Sequence, residues 1–127
     1  MDEIHSRKIF GNNSENLAVS YLTNNHYQII QRNYYSQYGE IDIIAKKNEE
    51  LIFCEVKGRS SSLETAMKSV SFSKQKKISK TASIFLSENP EYEDFIIRFD
   101  VIAVNFISKN GSSIIVHLKD AFDPILI

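Results

Sequence analysis

The chain predicts an α/β layered domain, a mixed β-sheet flanked by helices in the order α-β-β-β-α-β-β. Three observations predict it. Residues 39–59 read as two apolar segments that alternate with a period of two, joined by a charged turn from Lys46 to Glu50, the pattern of a hairpin. Apolar residues recur at helical spacing before this hairpin and again over residues 73–87. Strand-like runs then return at 96–106 and 114–118. Helices set among strands in this way build layers around one sheet.

Length and composition bound the reading. At 127 residues the chain is sized for one domain spanning 1–127. The apolar fraction of 43% suits a globular core, and no apolar run approaches the ~20 residues that cross a bilayer. A single cysteine, Cys54, excludes an internal disulfide. With no apolar signal segment behind the first basic residues, it points to the cytoplasm. Cys54 has apolar neighbours and reads as a small core residue. Net charge is −1, so nucleic-acid binding requires a local basic patch.

The first helix is expected over residues 6–24, with Phe10, Leu17, Ala18, Tyr21 and Leu22 as its buried stripe. Glu15 borders that stripe, where it is either an edge residue reaching solvent or part of a site. Asn24 and Asn25 end the helix, residues 27–33 form a strand, and Tyr34, Tyr35 and Tyr38 fall in the connection to Gly39. Those tyrosines offer either packing or a surface for stacked bases. Ser61 and Glu64 have capping-box spacing. In the helix at 73–87, Ile78, Ala82, Phe85 and Leu86 face the core, and Pro90 closes the segment. From Thr65 to Ser87 there are five lysines (68, 74, 76, 77 and 80) and no acid, so a basic region hides inside the small net charge. It is a solvated helix face or a phosphate-binding one. Asn110-Gly111 predicts a tight turn before the last strand, and the tail 125–127 is apolar. His117 has no partner nearby in sequence and reads as a packed or edge histidine.

Strand parity singles out a candidate site. Glu40, Asp42 and Ile44 share one face of their strand, with Ile41, Ile43 and Ala45 on the other. Phe53, Glu55 and Lys57 share a face of the next strand, so Asp42, Glu55 and Lys57 converge. A charge on a covered sheet needs a partner; a divalent metal is one, and a plain salt bridge is another. Phosphodiester hydrolysis requires an activated water and charge stabilisation, which a divalent ion on hard oxygen ligands supplies. Asp42 and Glu55 provide such ligands, and Lys57 an ammonium for developing charge. No Gly-rich phosphate loop, zinc spacing or nucleophile elbow is present. An Asp followed at this distance by Glu-x-Lys arises by chance in roughly one chain of five this long. Its weight therefore comes from the matching parity.

Asp42 followed by Glu55-Val56-Lys57 on a hairpin after a helix resembles the PD-(D/E)XK nuclease superfamily. More closely, the chain resembles the YraN family of small bacterial proteins. The matching residues are Gly11, Glu15, Ala18, Tyr21-Leu22, Arg32-Asn33, Gly39 through Ala45, Phe53 through Lys57, Arg59, Ala66, Val70, Lys74, Ile78, Ala82, Leu86, Arg98 through Val101 and Ala121-Phe122. Ser14 and Tyr35 depart, standing where the family often has glycine and a basic residue. The resemblance implies a restriction-endonuclease-like core and a magnesium- or manganese-dependent endonuclease acting on DNA, with branched or structured DNA among its substrates. It implies a catalytic set of Asp42, Glu55, Lys57 and Glu15, with the metal at Asp42, Glu55 and Val56. Arg59, Lys74, Gln75, Lys76 and Lys77 are the candidate nucleic-acid contacts, and analogy with resolvases extends to a homodimer. The competing expectation is a non-catalytic nucleic-acid or protein interaction module that keeps the fold.

Overall fold

The structure, a computed structural model, describes residues 3–58, 66, 68–106 and 113–125. Its elements are α1 (Glu3–Asn24), β1 (Gln28–Ser36), β2 (Gly39–Lys47), β3 (Glu50–Gly58), α2 (Phe72–Glu88), a 3-10 turn (Pro90–Tyr92), β4 (Ile96–Phe106) and β5 (Ser113–Phe122). The strands form one five-stranded sheet in sequence order. Neighbours run antiparallel except β3 and β4, which are parallel because the chain crosses over through α2 between them. The mixed α/β architecture expected from the sequence is the one observed. Arg59, the Ser61/Glu64 capping box and the Asn110-Gly111 turn lie outside the described residues.

Each helix covers one face of the sheet. On the α1 side, Ala18 and Leu22 pack with Tyr27, Ile43, Ala45, Ile52, Cys54, Ile102 and Val104. On the α2 side, Ile78, Ala82 and Phe85 pack with Tyr34, Ile44, Leu51, Phe53, Phe99 and Val101. The sheet is thus apolar on both faces, as its near-continuous hydrophobic strands require. Leu17, Tyr21 and Leu86 are only half-buried, at the margins of these cores. Ile41 departs from the expected alternation: it joins the α2-side core beside its cross-strand partner Tyr34. Asn33, next along β1, takes a left-handed φ of 54°, which interrupts the pleat there. Cys54 is buried and its thiol is pushed well above the usual range by that burial, consistent with an inert core residue.

Local signals explain the ends of the elements. At the close of α1, the Tyr27 N–H donates to the Leu22 carbonyl and the His26 N–H to that of Thr23. His26 holds φ 70°, so the helix ends in a Schellman motif with histidine in the place glycine usually takes. Ser71 caps α2, its Oγ accepting from the Lys74 N–H at 3.2 Å. Strand β1 runs further than expected and takes in Tyr34 and Tyr35. Tyr34 is buried edge-on against Phe85, so tertiary contact extends the strand beyond what composition marked. The tail docks on α2 through the Ile125 N–H, which donates to Ser79 Oγ at 3.0 Å.

His117 gains partners that lie far from it in the chain. Its Nε2 lies 2.6 Å from Asp100 Oδ2, and the Tyr21 hydroxyl 3.0 Å from its Nδ1. Asp100 is fully buried and also receives both arms of the Arg98 guanidinium at 2.9 Å. Arg98 in turn reaches Tyr27 and Glu50. This polar network ties β3, β4 and β5 to the α1 layer, and a buried network of this kind holds only when complete. Burial alone would raise the Asp100 carboxyl, but hydrogen bonds from His117, Arg98 and the Asp120 N–H outweigh it and lower its pKa. The stability Asp100 contributes is therefore present above the unfolded value near 3.8 and is lost as pH falls through the lower folded value. Asp100→Ala should cost about 1–3 kcal/mol at neutral pH, because it takes the acceptor from His117 and from the half-buried Arg98, which keeps only Glu50 and Tyr27. Urea unfolding measures this, and the variant should also lose part of the wild-type sensitivity to acid below about pH 4.

Candidate active site

Backbone pairing between β2 and β3 runs from Lys47↔Glu50 to Ile43↔Cys54 and stops there. At the next position Asp42 faces Glu55. The Val56 N–H, which a continued ladder would have used, donates instead to Asp42 Oδ2 at 2.8 Å. The two carboxyl groups are within hydrogen-bonding contact, and Glu55 is buried, 7% exposed. Burial raises the Asp42 pKa to about 8, with the Glu55 charge adding to the shift and the Val56 N–H opposing it. Near neutral pH the pair therefore holds a proton or needs a cation.

Helix α2 brings the cations. Lys74 Nζ lies 3.1 Å from Glu55 Oε1, and Lys57 Nζ lies 3.8 Å from the same oxygen. Burial, followed by the neighbouring Lys74, lowers the pKa of Lys57. Asp42 and Glu55 line a cavity of about 320 Å³ together with Gly39, Glu40, Ser71, Ser73, Lys74, Lys77 and Ile78. Parity thus brings Asp42, Glu55 and Lys57 together as expected. Lys74, expected among the outer nucleic-acid contacts, also reaches the carboxylate pair itself. Glu40 lines the cavity too, and its pKa is raised by burial and then by the Glu15 charge. The signal for Glu40 was in the sequence, since it shares strand parity with Asp42.

Other expected residues sit apart from this group. Glu15 is buried, 8% exposed, and does not line the cavity. Its Oε1 accepts from Arg32 Nε at 2.9 Å and from Asn33 Nδ2 at 3.1 Å. The Gln75 amide is spent locally, donating to the Val70 carbonyl at 3.0 Å. Lys77 lines the cavity and Lys76 does not. Val56 has no polar side-chain atom, so it can serve a metal only through its main-chain carbonyl.

The donor set suits a hard divalent ion. Two carboxylates with a backbone carbonyl beside them are the ligands magnesium or manganese accepts, with substrate and water completing the shell. Among the described residues no group of three His, Cys, Asp or Glu side chains is arranged to hold a metal.

A family model described as Uncharacterised protein family UPF0102 matches residues 14–104. The chain belongs to this family, the YraN family. A UPF0102 protein of Acinetobacter baumannii (strain AYE) is 43% identical over 102 residues, covering 80% of this chain and 77% of the relative. One from Acinetobacter baylyi is 40% identical over 115 residues, covering 90% and 81%. Another, from Caldicellulosiruptor bescii, is 39% identical over 116 residues, covering 91% and 98%. The stretch that defines the YraN family here includes Glu15, Asp42, Glu55, Lys57 and Lys74 and ends within β4. No helix among the described residues is long and apolar enough to cross a membrane.

The raised Asp42 pKa sets a pH dependence of stability. In the unfolded chain Asp42 ionises near 3.8, and in the folded protein near 8. Its contribution is full below the unfolded value and is lost as pH rises through the folded one. One pKa unit corresponds to about 1.4 kcal/mol, which caps the effect at about 6 kcal/mol. With Lys74 neutralising part of the pair, a gain on the order of 2 kcal/mol is expected for Asp42→Asn at pH 9. At pH 5, little above the unfolded value of 3.8, under a third of the effect is present, so the gain should shrink to roughly 0.5 kcal/mol. Melting temperature across this range checks both, and a loss of stability at pH 9 would mark Asp42 as one half of a structural ion pair.

Proposed function

We propose that this chain is a metal-dependent endonuclease hydrolysing phosphodiester bonds in DNA, with branched or otherwise structured DNA as its substrate. One observation carries the reading. Two carboxylates that cannot comfortably both ionise stand side by side in an open cavity of about 320 Å³ whose opposite wall supplies lysines. In this reading Asp42, Glu55 and the Val56 main-chain carbonyl hold magnesium or manganese. The ion, when bound, supplies an acidified water and positive charge for phosphate oxygens.

The chain's own residues do the rest. Lys57 has its ammonium 3.8 Å from Glu55 Oε1, where it can hold a water for attack or stabilise the charge growing on the phosphorus oxygens. Burial, then the neighbouring Lys74, lowers its pKa from the ordinary lysine value. Lys74 and Lys77 on the cavity wall draw the substrate phosphate in against the carboxylates. Lys76 extends this basic surface in the proposal, and Arg59, outside the described residues, stays a candidate phosphate contact from the sequence. Gln75 acts from behind it by fixing the turn before α2 through Val70. Glu15 is a positioning residue, holding Arg32 and Asn33 beside the hairpin that presents Glu40.

One observation favours the second reading, a non-catalytic nucleic-acid or protein interaction module. The Lys74–Glu55 contact at 3.1 Å satisfies Glu55 without a metal. A cleavage panel separates the two: junction, flap, single-stranded and duplex DNA, and RNA, each with and without manganese. Cleavage of at least one DNA substrate is expected only with metal. Lys57→Ala should slow it roughly 10²–10³-fold with the fold intact by circular dichroism, and Asp42→Asn at least as much. Cleavage that ignores manganese, or a Lys57→Ala protein as fast as wild type, would defeat the endonuclease reading. Binding without any cleavage would select the module.

A further inference from the structure

Lys74 stands where local rules argue against a lysine. It lies three residues after the Ser71 cap, whose Oγ accepts the Lys74 N–H at 3.2 Å. That position favours glutamate, which completes a capping box and meets the positive end of the helix dipole. The first turn of α2 holds no acid, and Lys74 adds charge to an end that is already positive. Its own helix gives it no reason to be there. A residue that breaks a local rule in this way points to a role outside its element.

That role lies at the carboxylate pair. Lys74 Nζ is 3.1 Å from Glu55 Oε1, closer than Lys57 Nζ at 3.8 Å from the same oxygen. The two ammonium groups are also within hydrogen-bonding reach of each other. Like charges crowded on one oxygen repel, so one of them is held loosely. Exposure says which. The Lys57 side chain is 18% exposed and rises from an interior strand, whereas that of Lys74 is 38% exposed and lines the cavity. Lys74 can turn outward on its flexible four-carbon stem while the backbone stays in place. Lys77, one turn on, lines the same cavity, so a phosphate entering there meets two ammonium groups on one helix face.

Taking the endonuclease reading as its basis, we propose that Lys74 is an internal stand-in for the divalent ion. It occupies Glu55 until a substrate phosphate draws it off, so that ion and DNA enter the site together. Lys74 and a divalent ion cannot share Glu55 at full strength, because each cation weakens the hold of the other. Pairing with a phosphate frees the Glu55 oxygen and keeps the ammonium in a charge-assisted contact. Linkage then demands reciprocity: DNA raises affinity for the ion by the factor by which the ion raises affinity for DNA. Without DNA, the site is held by its own lysine.

Manganese binding, read from the electron paramagnetic resonance signal of the free ion, tests this apart from cleavage. Lys74→Met keeps the aliphatic stem but uncovers Glu55, and it should bind manganese roughly 3- to 30-fold more tightly than wild type. Lys74→Arg keeps the charge and should stay within about threefold of wild type. Lys80→Met removes the same charge about 9 Å further along α2 and should change binding less than about twofold. Circular dichroism reports whether each variant folds. A second arm adds a duplex with a single-stranded flap to Lys57→Ala and to Lys57→Ala/Lys74→Met, proteins in which the strand stays whole during titration. The flap should tighten manganese binding at least about fivefold in the first and less than about twofold in the second. Lys74→Met binding no more tightly than wild type, Lys80→Met gaining as much, or a flap without effect on Lys57→Ala would overturn the inference. Manganese-dependent cleavage in the panel would leave the endonuclease reading standing through any of these. Tighter binding by Lys74→Met with no cleavage of any DNA would retire that reading and keep the exchange of lysine for ion. No manganese binding by any of the proteins would remove both.

Discussion

Two carboxylates placed next to each other inside a covered sheet create the tension from which the rest of this molecule follows. Asp42 and Glu55 sit where the β2–β3 ladder ends, and the backbone donor released there is taken by Asp42 itself. A hydrophobic pair at these positions would have continued the sheet and sealed the α2-side core. Instead the polar pair keeps a cavity open between strand and helix. The cost of that arrangement appears directly in the raised Asp42 pKa, and strained electrostatics of this kind concentrate at functional sites.

Helix α2 answers the tension in two ways. Its buried side, with Ile78, Ala82 and Phe85, locks it across β2 and β3. Its first turns, capped by Ser71, swing Lys74 onto Glu55 and Lys77 over Gly39. The same helix therefore supplies the packing that fixes the cavity wall and the charge that balances its floor. Lys74 and a metal would compete for Glu55, so ion binding and lysine release belong to one equilibrium. Under the endonuclease proposal, a substrate phosphate would be the new partner of the displaced ammonium.

On the other face of the sheet, Arg98, Asp100 and His117 solve a similar problem in the opposite manner. There a buried acid is fully matched by cations and donors, and its pKa is lowered instead of raised. Both acids lie in interior strands, yet one is closed into a network and the other borders a cavity. Satisfaction by fixed partners marks a structural role. A carboxylate pair that shares charge poorly and faces open space marks a place for chemistry.

Much of the fold was legible in the chain alone, because it depends on periodicity. Alternation in residues 39–58 specified a hairpin and put Asp42, Glu55 and Lys57 on one face, since a strand's side chains can point only two ways. Helical spacing marked α1 and α2 for the same reason. Contacts between distant segments had no such local code. Nothing in the sequence near His117 announces Asp100 or Tyr21, and in the lysine run of α2 helical spacing sets Lys74, four residues before Ile78, on the inner side but does not say which strand residue it meets. Only the rotation of α2 against the sheet, set by which of its residues bury best, brought Lys74 to Glu55. That packing also left Glu15 with Arg32 and Asn33. Local pattern decided what each strand and helix presents. Tertiary packing decided what each side chain meets, because that depends on free energy summed over the whole core.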